Sequence, residues 1–174
     1  MTHFDFTDRP SSERIKATSE EYYDIEPELV LSFLEFQWSY REMQKQYDYF
    51  LRKFNLSESK FIILMFLKRA EDNKLLPSEI ALKLGASRPT VSKILHGMEK
   101  MNLIRKSSST VDKRSSYFQL TEVGEQTLIE LMPYNFSAVK TIFGKLNSED
   151  LIKFNELLSK INSGTKKLEK ELEC

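Results

Sequence analysis

Three observations predict a mainly α-helical protein with one small β-hairpin. The 174 residues include only five glycines and five prolines, so few positions interrupt helices. Two long segments, 28–56 and the one that follows residue 147, carry apolar residues at alternating spacings of three and four, which is the helical period. The stretch from Leu76 to Leu120 contains two shorter helical patterns and then two short strand-like runs.

A helix-turn-helix is predicted over residues 78–95. Such a pair needs a small residue where its helices cross, a glycine or similar residue in the turn, and two aliphatic residues that close the packing. Ala81, Gly85, Val91 and Ile94 supply these in order, at offsets of 0, 4, 10 and 13. The spacing therefore indicates a DNA-reading head.

The second helix of this pair has the two faces that a DNA-recognition helix requires. Ser87 is its expected N-cap. Val91, Ile94, Leu95 and Met98 repeat at i, i+3, i+4 and i+7 and form a buried face, which leaves a polar face for the major groove. The residues that we predict to contact DNA from this helix are Ser87, Arg88, Pro89, Thr90, Ser92, Lys93 and His96.

The strand-like runs Leu103–Lys106 and Ser116–Leu120 predict a hairpin directly after this helix. The fold class is therefore a winged helix-turn-helix, mainly α with a small β-wing. An ordinary hairpin with a charged tip is the alternative interpretation.

The tip of the predicted wing is rich in serine and threonine and carries adjacent cations. Such a tip suits the phosphate backbone or a narrow minor groove, whose negative potential favours arginine. We predict that Lys106, Lys113 and Arg114 contact DNA from the wing. Asp112 is placed to orient the wing, because a carboxylate pairs well with the guanidinium of Arg114.

The net charge of zero conceals a basic head on an acidic body. Residues 83–114 carry eight lysines and arginines against two acidic residues, a local charge of +6, so the remainder of the chain sums to −6. A concentration of basic charge is typical of a phosphate-binding face. A merely solvated charged surface is the alternative.

Four segments organise the chain: an acidic arm (1–27), a dimerisation helix (28–56), the winged helix-turn-helix head (57–120), and connecting and C-terminal dimerisation helices (121–174). The arm lacks periodicity, so we expect it to be mobile or an irregular cap, with Phe4, Phe6, Tyr22 and Tyr23 as docking points.

The two long helices each carry an apolar stripe, and together these stripes exceed what the packing of one small head requires. This excess favours a homodimer. Packing within a monomeric bundle is the alternative. Thr121 is the expected N-cap after the wing, Pro133 and Gly144 are expected to kink or break the helix, and 148–150 begin the last helix. The predicted dimerisation residues are Phe33, Phe36, Tyr40, Leu151, Phe154, Leu158 and Ile161.

Several function classes are disfavoured by the sequence. No apolar run approaches the roughly 20 residues that span a bilayer, and the N-terminal residues do not form a secretion signal. The single cysteine, Cys174, forms no intramolecular disulfide, which favours the cytoplasm. We expect neither an enzyme nor a cofactor or metal site, because the chain has no phosphate-binding loop, dinucleotide fingerprint or nucleophile elbow, and only two isolated histidines, His3 and His96.

From about Glu28 to Ile161 the chain resembles a MarR-family transcriptional regulator. Three motifs carry the resemblance: the helix-turn-helix at 78–95, the wing sequence Asp-Lys-Arg at 112–114, and Leu-Thr-Glu-Val-Gly at 120–124, which is similar to the family's Leu-Thr-x-x-Gly after the wing. Each motif alone is modestly specific, but the three occur in the family's order and spacing.

The resemblance implies a dimer whose N- and C-terminal helices form the interface and whose heads bind a palindromic operator. It places Ser87, Arg88, Thr90, Ser92 and Lys93 in the major groove, Arg114 in the minor groove, and Asp112 as the residue that orients the wing. The family commonly represses genes. The expected partners are therefore double-stranded DNA and a second copy of the chain, without a membrane.

The family is often released from DNA by a small aromatic or amphipathic ligand bound between the dimer helices and the head. Phe33, Phe36, Trp38, Tyr40 and Tyr47 would line such a pocket here, although an aromatic stripe at helical spacing is more often core. The chain lacks the reactive cysteine of the family's peroxide sensors and the ligand clusters of its zinc sensors. The alternative function is a winged-helix protein that acts by protein contact, or a plasmid-type initiator, without ligand control.

Overall fold

The computed structural model describes residues 8–22, 25–108 and 116–173. The helices in these ranges are α1 (Ser12–Tyr22), α2 (Pro27–Arg52), α3 (Glu58–Arg69), α4 (Pro77–Leu84), α5 (Arg88–Lys100), α6 (Glu122–Phe143) and α7 (Ser148–Leu172). The strands are β1 (Lys74–Leu75), β2 (Ile104–Ser108) and β3 (Ser116–Leu120). The mainly helical fold with a small sheet is confirmed. The chain divides into two compact units at the Met132–Pro133 junction.

The N-terminal segment differs from its prediction, because part of it is helix α1 rather than an irregular arm. This helix packs on α2 and buries a single apolar side chain, Ile15. The Arg9 guanidinium lies 4.9 Å from the ring centre of Trp38 and 3.6 Å from a Glu35 carboxylate oxygen. Tyr22 is 76% exposed and does not dock. Phe4, Phe6 and Tyr23 lie outside the described residues.

Helix α3 is the centre of the hydrophobic core of the first unit, as its nearly continuous apolar sequence predicts. Ile63, Leu64 and Leu67 are fully buried, and α3 contacts α2, α4, α5 and the sheet. Ser57 caps the helix by accepting a hydrogen bond from the Lys60 amide at 3.4 Å. The last turns of α2 join this core through Leu51, which is also fully buried.

The helix-turn-helix forms where the sequence places it. Helix α4 starts at Pro77, whose missing amide costs nothing in a first turn. Gly85 ends α4 with φ +63°, a left-handed conformation that glycine adopts without a side-chain clash. The amide of Ala86 then donates to the Ala81 carbonyl at 3.1 Å, which closes the turn before α5.

The wing is the β2–β3 hairpin of a three-stranded antiparallel sheet with strand order β1-β3-β2. Ile104 pairs with Leu120 at its base and Ser108 with Ser116 at the last described pair. Strand β2 begins one residue later and ends two residues later than the sequence predicts. Leu103 is instead the buried link from α5 to β2.

Helix α6 starts against the base of the wing. The predicted N-cap is confirmed, since the Thr121 hydroxyl accepts from the Gly124 amide at 3.0 Å and donates to the Asn102 carbonyl. The Thr121 amide donates to the Leu103 carbonyl at 3.1 Å. A Cβ atom on Gly124 would lie 2.0 Å from the Leu103 oxygen, so only glycine fits this approach.

The second unit contains the end of α6 and all of α7. Helix α6 continues through Pro133 and ends at Phe143, directly before Gly144. Of the two positions expected to kink or break the helix, only Gly144 coincides with its end. Helix α7 begins at Ser148, as predicted, and Asn147 caps it. Its side chain accepts from the Asp150 amide at 2.9 Å, while Asp150 accepts from the Asn147 amide at 3.0 Å. Among the described helices, none has the length and apolarity needed to cross a membrane.

Candidate nucleic-acid interface

Helix α5 presents one polar face to solvent and packs the opposite face into the core. Its N-cap is Ser87, as predicted, whose hydroxyl accepts from the Thr90 amide at 3.4 Å and lies 2.8 Å from the Thr90 hydroxyl. Val91, Leu95 and Met98 are buried, and Ile94 packs partly against them. The exposed positions comprise all seven predicted DNA contacts of this helix: Ser87, Arg88, Pro89, Thr90, Ser92, Lys93 and His96.

The two cations on this face have no acidic partner among the described residues. Arg88 and Lys93 are separated by about 1.4 helical turns, and both are exposed. Neither forms an ion pair within the part of the chain that the structure describes. Within the described residues, no salt bridge therefore has to break before this positive charge meets a polyanion.

Lys106 lies at the root of the wing, where it connects β2 to helix α5. Its ammonium lies 3.8 Å from a Glu99 carboxylate oxygen and 5.8 Å from the ring centre of Phe118. Lys106 pairs with Phe118 across the hairpin, so both side chains point to the inner face of the sheet. Its predicted DNA contact remains a prediction, and any such contact would compete with Glu99.

The neighbouring residue Arg105 points to the outer face of the sheet and was not among the contacts predicted from the sequence. Arg105 pairs with Gln119 in the β2–β3 register. With the Gln119 amide oxygen turned toward Arg105, it accepts from the guanidinium Nε at 2.7 Å. Because successive side chains of a strand point to opposite faces, the sequence could have placed Arg105 on the face opposite Lys106. The wing-tip residues Asp112, Lys113 and Arg114 lie outside the described residues.

Comparison with known proteins assigns this architecture. The MarR-family profile matches residues 54–115. The regulator MgrA of Staphylococcus aureus is 31% identical over 112 residues, 63% of this chain and 72% of MgrA. The chain belongs to the MarR family.

Two further comparisons extend this assignment along the chain. The HTH-type transcriptional repressor YetL of Bacillus subtilis strain 168 is 28% identical over 152 residues, 86% of this chain and 89% of YetL. The S. aureus MepR–DNA complex superposes with a TM-score of 0.66 at 25% identity and covers 76% of this chain and 96% of MepR. The MarR-family head therefore occurs here with most of its flanking helices.

The predicted dimerisation residues of helix α2 in this MarR-family protein are exposed. Phe33 is 59% exposed and Tyr40 is 52% exposed, and Phe36 lies between them on the same stripe. Leu29 extends the stripe toward the start of the helix. Large apolar side chains in a contiguous exposed row are typical of an interaction surface.

The predicted dimerisation residues of helix α7 divide into two groups. Leu151 and Ile161 are exposed. Phe154 and Leu158 are half-buried, and Phe154 makes an edge-to-face contact with Phe143 of the same chain at 5.9 Å between ring centres. Toward its C-terminus, α7 also exposes Leu168 and Leu172, which lie on the same helix face as Ile161.

The aromatic residues proposed for a ligand pocket on α2 have different environments. Trp38 is covered by the Arg9 guanidinium, and Tyr47 stacks near Phe50 at 5.8 Å between ring centres. Burial, and secondarily the negative charge of Glu58, raises the pKa of the Tyr47 hydroxyl. The described residues contain no group of three or more His, Cys, Asp or Glu side chains suited to a metal ion.

Proposed function

We propose that this MarR-family protein is a transcriptional repressor that binds a palindromic operator as a homodimer. One observation carries the proposal: helix α5 exposes an uninterrupted polar and basic face whose cations have no acidic partner in the described residues. Its opposite face is buried against α3 and α4, so the helix is fixed on the head. The similar protein YetL is named as a repressor, and MepR is complexed with DNA.

Helix α5 enters the major groove in this proposal. The groove admits an α-helix, and its base edges present donors and acceptors in a pattern that differs for each base pair. Arg88 and Lys93 suit the acceptors of guanine or the phosphates, while Ser87, Thr90 and Ser92 donate to phosphate oxygens or base edges. Pro89 and His96 complete the proposed contact face.

The wing contacts the neighbouring minor groove. Arg114 inserts into the groove, Lys113 contacts the backbone, and Asp112 orients the wing through Arg114. Lys106 supports the wing root and adds a contact when its Glu99 pairing opens. This part of the proposal rests on the sequence motif at 112–114 and on the register of the described hairpin, whose last pair is Ser108 with Ser116.

Two heads are needed because one recognition helix reads only a few base pairs. A two-fold dimer places two such helices on half-sites about one turn of DNA apart. The exposed stripe Leu29, Phe33, Phe36 and Tyr40 on α2 and the exposed residues Leu151 and Ile161 on α7 supply apolar surface for the second copy. We also propose a cytoplasmic location and release by a small ligand, and no enzymatic activity.

Fluorescence anisotropy on the DNA upstream of the protein's own gene tests the proposal. We expect Arg88→Ala to weaken binding roughly five- to 150-fold, the range for losing one good base contact. Arg114→Ala should weaken binding and lower the salt-dependence slope by about one. The control Lys145→Ala removes an exposed cation outside the head and should leave affinity unchanged.

Two results would contradict the proposal. One is the absence of salt-dependent binding to that DNA. The other is equal affinity of the wild type, Arg88→Ala and Arg114→Ala. Either result would favour a winged-helix protein that acts through protein contacts.

A further inference from the structure

One row of exposed side chains runs along the whole outer face of helix α5. Pro89, Lys93, His96 and Lys100 follow one another at spacings of four, three and four residues, so they share one face of the helix. All four are exposed, and the buried residues of α5 lie on the opposite side. The row begins at the end of α5 that we assign to the major groove. It continues past the predicted contacts to Lys100 in the last turn.

His96 lies in the middle of this row, with one lysine on each side. Residues three or four positions apart on a helix have their Cβ atoms about 5–6 Å from one another, so Lys93 and Lys100 both flank His96. Lysine ammonium groups stay positive across the range of roughly pH 5 to 8, in which an imidazole changes its charge. The row therefore combines two fixed positive charges with one position whose charge depends on pH.

The charged groups around His96 leave its imidazole without a carboxylate partner in the described part of the chain. Helix α5 packs against α3, α4 and β2. The acids on these four elements are all engaged: Glu58 accepts from the Gln44 side chain at 3.0 Å, Glu79 from the Leu76 amide at 2.7 Å, and Glu99 pairs with Lys106 at 3.8 Å. The other charged groups on the packed elements are cations: Lys60, Lys68, Arg69, Lys83 and Arg105.

We propose that His96 is a protonation-dependent phosphate contact and that Lys100 extends the DNA-contacting face beyond it. A charged imidazolium donates from both ring nitrogens and attracts a phosphate oxygen, whereas a neutral imidazole has one donor and no charge. Binding of the DNA backbone along this row is therefore coupled to the uptake of a proton at His96. This inference rests on the DNA binding proposed above and adds pH dependence to it.

The direction of the pH effect follows from linkage. The DNA complex holds more protons than the separate molecules, so lower pH favours the complex. The affinity gained through His96 is present in full where the imidazole is charged in both states. It is lost as the pH rises through roughly 5 to 8, the range in which the imidazole becomes neutral.

Fluorescence anisotropy at about pH 6 and about pH 8, with the DNA upstream of the protein's own gene, tests the role of His96. The wild type should bind roughly five- to tenfold more tightly at the lower pH, the effect of one exposed charged hydrogen bond. Its salt-dependence slope should also be steeper there by about 0.9, because one more phosphate is neutralised. His96→Gln should lose both differences. The matched control is His3→Gln, at the chain's other histidine, which should keep both.

Two further variants separate charge from structure. His96→Arg carries a fixed positive charge, so its affinity and salt slope should be the same at the two pH values. Lys100→Gln should lower the salt slope by about 0.9 at both pH values, because it removes one phosphate contact that does not titrate. Lys145→Gln removes an exposed cation outside the head and should leave the slope unchanged.

The outcomes distinguish this inference from the DNA-binding proposal. Equal pH dependence in the wild type and His96→Gln, or a wild-type salt slope that pH does not change, would overturn the protonated contact while DNA binding stands. An unchanged slope in Lys100→Gln would overturn the extension of the contact face. The absence of salt-dependent binding by the wild type at either pH would refute DNA binding itself, and the contact with it.

Discussion

Replacing Gly124 by alanine tests the contact that joins helix α6 to the base of the wing. The new Cβ would lie 2.0 Å from the Leu103 carbonyl oxygen and 2.9 Å from its carbon, so backbone must move. Overpacking of this kind costs about 3 kcal/mol at the upper end of its usual range. Loss of the Thr121–Leu103 hydrogen bond adds about 1 kcal/mol, and the better helix propensity of alanine returns about 1 kcal/mol.

The expected net loss is about 3 kcal/mol in the free energy of unfolding, which corresponds to a fall in Tm of roughly 6–12 °C for a chain of this size. Thermal unfolding followed by circular dichroism at one fixed protein concentration measures it. Gly97→Ala is the matched control, because Gly97 is also helical but a Cβ atom added there would meet nothing within 4 Å. Gly97→Ala should be neutral or slightly stabilising. Equal Tm values for the two variants would refute the reasoning.

Three further predictions concern the dimer and the helix ends. Phe33→Glu should shift the protein to monomer in analytical ultracentrifugation, whereas Tyr49→Glu, at an equally exposed aromatic residue of α2 outside the stripe, should not; equal effects would contradict the assigned interface. Asn147→Ala should lower stability by about 1 kcal/mol in urea unfolding because it removes the α7 cap, and a larger loss from Ser148→Ala would contradict that assignment. Gly85→Ala should cost about 1–2 kcal/mol in the same assay because φ is +63°, and an unchanged midpoint would contradict a strained turn.

The helix-turn-helix was predictable because its determinants are local. The cap at Ser87, the turn at Gly85 and the buried phase of Val91 and Leu95 all depend on residues within a few positions of one another. The separation of α5 into a buried and a polar face follows from the same phase. The candidate DNA contacts on this helix could therefore be predicted from the sequence alone.

Features that depend on distant contacts were not predictable. Helix α1 has one buried apolar residue, Ile15, so it carries no periodic signal. Arg9, which precedes this helix, contacts Trp38 on α2, a residue far from it in the sequence. The need for glycine at position 124 arises from the approach of Leu103, which is 21 residues earlier. A cavity beside Tyr117 likewise collects residues from α3, the sheet and α4.

A dimer formed through the exposed stripe of α2 would make operator binding depend on the concentration of the protein. If a second copy must cover Phe33, Phe36 and Tyr40 before two heads can act together, mass action governs assembly. At concentrations below the dimer dissociation constant, the dimer population rises with the square of the monomer concentration. Modest changes in synthesis, or dilution as a cell grows, would then alter operator occupancy more steeply than they alter protein number.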